Sequence, residues 1–156
     1  MASTNSNAKD LEYGLARGIS AIERRHRKFM TRALEEKCVT GVSYSYIITI
    51  KRHPGLNQDV LASIHGVDKS RAARIVRDLE DSGYLSRELA PDNRRQYMLS
   101  LTQSGERLYE FIADKNMEWE KLMSGDIKDS SIATTVDTIN KIIKNLDNPH
   151  VRLEKI

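Results

Sequence analysis

Two short helical patterns, separated by Gly66-Val67-Asp68, constrain the fold of this chain more than any other feature. Asn57 is placed to cap the first helix, and Gly66 ends it because glycine tolerates the left-handed conformation found after many helices. Asp68 caps the second helix, over 69–82, and Gly83 ends it. The apolar residues at helical spacing are Leu56, Val60, Leu61 and Ile64 on the first helix, and Ala72, Ile75, Val76 and Leu79 on the second.

A β-hairpin is predicted after these two helices. Segments 84–87 and 96–101 are typical of short strands, and Pro91-Asp92-Asn93-Arg94-Arg95 between them contains turn residues. Thr102 is then placed to cap a long helix over 103–123, and Gly125-Asp126 separates it from a last helix over 129–147. This order predicts a mainly α chain with a small β-hairpin, the layout of a winged helix-turn-helix.

Apolar residues at steps of four and three predict a long first helix over 9–36. The stripe consists of Leu11, Leu15, Ile19, Ile22, Phe29 and Ala33, with His26 in the remaining position. A narrow stripe on a helix about 40 Å long is typical of a helix that pairs with another one. Residues 1–8 are mostly small and polar and are expected to form a flexible leader.

The segment from Val42 to Ile50 fits two structures. Apolar residues at every second position favour a strand slightly. The same segment also fits a helix, with Ser43 as its cap and with Val42, Tyr46, Ile47 and Ile50 facing inward. The residues alone leave both open.

The second short helix carries a cationic face opposite its apolar one. That face holds Lys69, Ser70, Arg71, Ala73, Arg74 and Arg77. A helix with such a face fits the major groove of DNA, where arginines meet phosphates or guanine edges, although most basic helix faces are merely solvated. Arg94 and Arg95 lie at the tip of a hairpin thin enough to probe the minor groove.

Several other classes of protein are excluded. No apolar run approaches the roughly 20 residues that span a bilayer, and the N-terminus lacks signal-peptide features, so we expect a cytoplasmic protein with no membrane partner. The single cysteine, Cys38, excludes internal disulfides. His26, His53, His65 and His150 lack metal-ligand spacing, so neither a metal site nor a cofactor is expected. Because no phosphate-binding loop or catalytic triad is recognisable, no catalytic residues and no enzyme activity are predicted.

The chain resembles the MarR family of bacterial transcription regulators, most strongly over residues 54–109. The resemblance is carried by Val67-Asp68-Lys69-Ser70, by Pro91-Asp92-Asn93-Arg94-Arg95 and by Leu101-Thr102-Gln103-Ser104-Gly105. It implies that 69–82 is the recognition helix, with Ser70, Arg71 and Arg74 facing base edges and phosphates. It also implies that Arg94 enters the minor groove, that Asp92 holds its guanidinium, and that Arg95 supports the backbone contact. Val42 to Ile50 would then be a helix.

The resemblance further implies a homodimer. Helices over 9–36 and 103–148 would form the dimerisation region, and 42–101 the DNA-binding lobe. Two recognition helices related by a two-fold axis require a pseudo-palindromic operator in double-stranded DNA, with half-sites about 34 Å apart. The expected function is a dimeric, sequence-specific transcription regulator, a repressor released by a small aromatic or phenolic effector. The expected walls of the ligand pocket are His26, Phe29, Tyr44, Tyr46 and Trp119, which also suit a core.

Two alternatives remain open. A winged-helix module that binds proteins instead of DNA would show a flat salt dependence and tolerate charge reversal at Arg71 and Arg74. Cys38 could make the regulator redox-responsive, through a sulfenic acid or an intermolecular bridge. Val60 departs from the family pattern, which often has an acid there; this puts a capping interaction in doubt but no DNA contact.

Overall fold

The computed structural model describes residues 4–37, 39–40, 42–90 and 93–147 of the chain. Six α-helices and one hairpin occur in this part, which confirms a mainly α fold with a small β-hairpin. The elements are α1 (Thr4–Ala33), α2 (Ser43–Arg52), α3 (Gln58–Ile64), α4 (Lys69–Asp81), β1 (Leu85–Ala90), β2 (Asn93–Leu101), α5 (Gln103–Ser124) and α6 (Asp129–Leu146), with a 3-10 helix at Glu35–Lys37 after α1.

The core of the molecule surrounds α2 and α4. All four apolar residues predicted to face inward on α4 are buried. On α3 the prediction is partly wrong, because Leu61 and Ala62 are buried whereas Val60 and Ile64 are about half exposed. A seven-residue helix has only two turns and buries the narrow strip that faces its neighbour.

The segment from Ser43 to Arg52 is a helix, as the resemblance implied and against the slight preference for a strand. Tyr46 and Ile47 are both fully buried. Adjacent residues of a strand point to opposite faces, so burying both against one core favours a helix. Ser43 is not the cap: it is the first helical residue, buried, and its hydroxyl bonds that of Thr40 at 2.7 Å.

The first helix begins and ends earlier than predicted. It starts at Thr4, which corrects the expected flexible leader over residues 4–8, since no glycine or proline there interrupts a helix. Its stripe is not a buried face within this chain, because Leu15, Ile19 and Ile22 are each about half exposed. The buried residues at its C-terminal end are instead Met30 and Leu34.

The hairpin is longer than predicted. Its strands pair from Leu85 with Leu101 to Leu89 with Tyr97, and a shift in register then pairs Ala90 with Asn93. Arg94 and Arg95 therefore belong to β2 and not to the turn. Strands that continue pairing beyond the core extend the wing further from the body of the protein than the turn residues suggested.

The chain divides into two compact units, one up to Met117 and one from Glu118. The second unit contains the end of α5 and all of α6. The predicted apolar positions of α6 are largely exposed within this chain: Val136, Ile139, Ile143 and Leu146 each expose 42–53% of their surface. Helix α6 thus presents an apolar stripe to solvent.

A close backbone contact joins the end of α4, the wing and the start of α5. The Thr102 hydroxyl accepts the Gly105 N–H at 3.0 Å, which confirms the predicted cap, and donates to the Gly83 carbonyl at 2.6 Å. The Thr102 N–H donates to the Tyr84 carbonyl at 3.1 Å. A Cβ at position 105 would lie 2.1 Å from that same carbonyl oxygen, so only glycine fits there.

Replacing Gly105 with alanine should therefore destabilise the protein. Because the obstacle is backbone, the contact must open, and we expect at least the roughly 1–3 kcal/mol typical of overpacking. Chemical denaturation followed by circular dichroism measures the loss in free energy of unfolding. Gly18→Ala is the matched control, since its Cβ meets nothing within 4 Å and alanine favours a helix. Equal stabilities of the two variants would contradict the role given to this contact.

Candidate nucleic-acid interface

The turn between α3 and α4 is held by local hydrogen bonds. The Asn57 side chain accepts the Val60 N–H at 2.9 Å, and the Asp68 side chain accepts the Arg71 N–H at 2.8 Å. Gly66 has φ +60°, and the Val67 N–H donates to the Ala62 carbonyl at 3.1 Å. Both predicted caps and the predicted left-handed glycine are confirmed. These bonds fix the direction in which α4 leaves α3.

One side of α4 is a continuous exposed surface. The five residues predicted to contact DNA from this helix lie on it, opposite the buried aliphatic side: Lys69, Ser70, Arg71, Arg74 and Arg77. Lys69 Nζ also lies 2.8 Å from Asp59 Oδ2 of α3, although both side chains are well exposed. The other cations of this face are Arg71, Arg74 and Arg77, which follow one another along the helix at three-residue spacing.

The wing is anchored beside this helix by apolar and backbone contacts. Leu85 and Leu99 at its base are buried. The segment before α3 pairs with β2, because the Gly55 N–H donates to the Leu99 carbonyl at 3.1 Å and the Leu99 N–H to the Leu56 carbonyl at 3.0 Å. The loop that leads into α3 and the strand that leads to the wing tip are therefore one connected unit.

The predicted residues of the wing tip are only partly within the described chain. Asp92, which is predicted to hold the Arg94 guanidinium, lies outside the described residues. Arg94 and Arg95 are placed on β2, but their side chains are outside the described part. Their roles stay predictions.

Two predicted ligand-pocket residues, His26 of α1 and Tyr44 of α2, lie next to each other. His26 Nε2 is 3.0 Å from Asn116 Oδ1, which links α1 to α5. The rings of His26 and Tyr44 meet edge to face, with centroids 6.2 Å apart. Tyr44 is half-buried, and burial raises the pKa of its hydroxyl.

Tyr46 lies in the core and not beside His26 and Tyr44. Tyr46 is fully buried and stacks on His65, with ring centroids 4.3 Å apart. Thr49 Oγ1 lies 3.0 Å from His65 Nε2, and burial lowers the pKa of His65. Tyr46 thus packs α2 against the end of α3 and belongs to the core. Trp119 is half-buried in the second unit.

Phe29 borders a cavity that sequence reasoning missed. The cavity has a volume of about 540 Å³, is wide open to solvent, and is formed by α1 with one residue of α5. Its lining consists of Arg25, Lys28, Phe29, Arg32, Ala33 and Lys115, so that four of six residues are cations and none is an acid. The spacing of Arg25, Lys28 and Arg32 already places them on one face of a helix. What the sequence could not reveal is that this face meets Lys115 of α5.

Among the residues that the structure describes, no cluster of three or more His, Cys, Asp or Glu could hold a metal ion. Within the same part of the chain, no helix combines the length and the apolar character needed to cross a bilayer. Cys38, the candidate redox residue, lies outside the described residues.

The chain is similar in sequence to known transcription regulators. The sequence model of the MarR family matches residues 39–97. A protein from Thauera aromatica, provisionally named as a transcriptional regulatory protein for the hcr operon, is 28% identical over 139 residues, covering 89% of this chain and 82% of that protein. The HTH-type transcriptional regulator BilQ of Clostridioides difficile is 22% identical over 139 residues, covering 88% of this chain and 93% of BilQ.

Solved structures share the fold. A crystal structure of MarR is 34% identical, with a TM-score of 0.77 over 84% of this chain and 89% of that one. A protein from Listeria monocytogenes assigned to the MarR family, solved with a 26mer DNA, has a TM-score of 0.75 at 22% identity and covers 84% of this chain and 87% of its own. The capped turn, the cationic helix α4 and the wing thus occur in a fold that this chain shares with these regulators. The chain belongs to the MarR family and is a DNA-binding transcription regulator, not an enzyme.

Proposed function

We propose that the chain acts as a dimeric, sequence-specific repressor that leaves its operator when a small anionic aromatic ligand binds. The DNA-binding part of this proposal depends on one observation, the exposed cationic face of α4, which the capped turn holds beside the wing. Ser70, Arg71 and Arg74 would face base edges and phosphates in the major groove, flanked by Lys69 and Arg77. A regulator bound at an operator that overlaps a promoter blocks transcription until it is released.

Dimerisation is supported by the apolar stripes of α1 and α6. Leu15, Ile19 and Ile22 on α1 expose 46–51% of their surface, and the α6 stripe is similarly open. Contiguous apolar residues on exposed helices mark interaction surfaces, and a second copy of the chain offers the same stripes. The two recognition helices would then contact half-sites about 34 Å apart on one side of a pseudo-palindromic duplex.

The wing would supply the second contact with DNA. Arg94 would enter the minor groove, with Asp92 holding its guanidinium and Arg95 meeting the backbone. Position supports this assignment: Arg94 lies near the end of β2 that is furthest from the buried pair Leu85 and Leu99. Narrow minor grooves attract arginine because their negative potential is enhanced.

The effector would occupy the cavity between α1 and α5. Its four cations attract a carboxylate, and the Phe29 ring offers an apolar contact for an aromatic body. His26 lies one turn before Phe29 on α1 and contacts the Tyr44 ring of α2 edge to face, so this pair would respond to a shift of α1. A ligand that binds more tightly to a conformation that cannot hold DNA shifts the protein toward that conformation. It can lower the affinity for DNA by as much as its own affinities for the two conformations differ.

Replacing Arg71 with alanine should flatten the salt dependence of DNA binding. Each lost phosphate contact reduces the slope of log Kd against log salt by about 1. Fluorescence anisotropy on a duplex from the region upstream of the gene, at several salt concentrations, measures it. Arg24→Ala removes the same charge from the exposed side of α1 and should leave the slope unchanged. If Arg71→Ala and Arg24→Ala gave the same slope of log Kd against log salt, α4 would lie outside the interface.

Replacing Arg94 with alanine should weaken binding to the same duplex by about 1–3 kcal/mol, the usual loss for one specific contact. The same anisotropy titration at constant salt measures this change. Unaltered affinity would remove the wing from the mechanism.

Benzoate should weaken DNA binding more than benzamide, which has the same shape and no charge. The cations of the cavity distinguish the two probes, and losing one charge-assisted hydrogen bond costs about tenfold in affinity. Arg32→Gln should therefore shift the benzoate response by about tenfold when DNA binding is followed at constant ionic strength. A response shared by benzamide, or one retained fully in Arg32→Gln, would rule out this cavity as the effector site.

A further inference from the structure

The wing leaves the core partway along its length. At its base Leu85 and Leu99 are buried, but further out Leu89 and Tyr97, which pair with each other, are about half exposed. Arg87 pairs with Leu99, so it is positioned at the level where the hairpin leaves the core. The tip lies about 10 Å beyond this level, because a strand rises roughly 3.3 Å per residue. A small rotation here would move the tip by a few ångströms.

The two edges of the wing are held differently. Strand β2 is tied to the segment before α3 by the backbone hydrogen bonds at Leu99. Strand β1 contacts the recognition helix through a side-chain ion pair: Arg87 Nε lies 2.8 Å from Glu80 Oε2. Glu80 is on the last turn of α4, the same helix that carries the cationic face. The pair thus connects the wing directly to the recognition helix.

This ion pair is the most enclosed of those described. Its side chains are 25% and 37% exposed, whereas the Lys69–Asp59 side chains are 75% and 61% exposed. Arg87 Nε is buried and makes no hydrogen bond of good geometry within the described chain, so the nearby Glu80 carboxylate compensates its charge. Removing the carboxylate would leave an enclosed charge without its partner, and the guanidinium would have to move to reach water.

We propose that Glu80 and Arg87 are a positioning pair that sets the angle of the wing against α4, so that Arg94 reaches the minor groove while α4 occupies the major groove. This rests on the proposed wing contact. Neither residue needs to touch DNA. The pair also gives a reason for an acid on the recognition helix, where a negative charge repels phosphates and by itself would only weaken binding.

The charge of Glu80 and its ion pair with Arg87 should change the affinity for DNA in opposite directions, which makes the proposal testable. Glu80→Gln removes a negative charge, which favours DNA binding, and also the pair, which should disfavour it. Asp81→Asn makes the same change of charge at an exposed neighbour that none of the described ion pairs involves. We expect Asp81→Asn to bind the duplex as well as or better than the unmodified protein, and Glu80→Gln to bind about threefold to tenfold more weakly.

A double-variant cycle separates positioning from a general loss of structure. In an Arg94→Ala background the wing contact is already lost, so Glu80→Gln should cost little further affinity. A merely structural defect would lower affinity equally in both backgrounds. The charge-reversed pair, Glu80→Arg with Arg87→Glu, should recover binding relative to either single reversal. Circular dichroism of each variant confirms that helix content is retained.

Two results would overturn the proposal. One is equal affinity of Glu80→Gln and Asp81→Asn, and the other is full additivity of Glu80→Gln with Arg94→Ala. Unchanged affinity in Arg94→Ala alone would instead refute the wing contact on which the proposal rests. The wing contact is tested by Arg94→Ala and the positioning pair by Glu80→Gln, so a failure of one can be distinguished from a failure of the other.

Discussion

The hydroxyl of Thr102 holds together the three elements on which the proposed DNA-binding surface depends. It caps α5 and at the same time bonds the Gly83 carbonyl, where the chain turns from α4 into the wing. The Tyr84 carbonyl lies directly against Gly105, with no side chain between the two backbones. Because these contacts are backbone to backbone or through one short side chain, they leave little freedom in how α4, the wing and α5 are oriented.

Features set by neighbouring residues were predictable from the sequence. The caps Asn57 and Asp68 and the inward face of α4 follow from local hydrogen bonds and helical period, and all are found. Features that depend on what an element packs against were not. Val60 and Ile64 fit a buried side by spacing but are exposed, because α3 meets its neighbours mainly through Leu61 and Ala62.

The candidate sites divide in the same way. The cationic face of α4 follows from the period of one helix, so its residues could be named without a structure. The ion pair of Glu80 with Arg87 and the cavity that combines α1 cations with Lys115 need residues far apart in the chain or on different elements. Tyr46 illustrates the core alternative that residue type left open, since an aromatic two residues from Tyr44 in sequence turns toward His65 and the core. Residue type alone does not distinguish a ligand wall from a packing residue.

The open apolar stripes of α1 and α6 bear on how the operator responds to the amount of regulator in a cell. With the proposed pairing, a single chain engages one half-site, whereas two joined chains engage both. While most chains are unpaired, the number of pairs grows with the square of chain number, so operator occupancy rises more steeply than protein synthesis. With this pairing, a threshold of this kind needs no effector: it would follow from half-exposed leucines and isoleucines on two long helices.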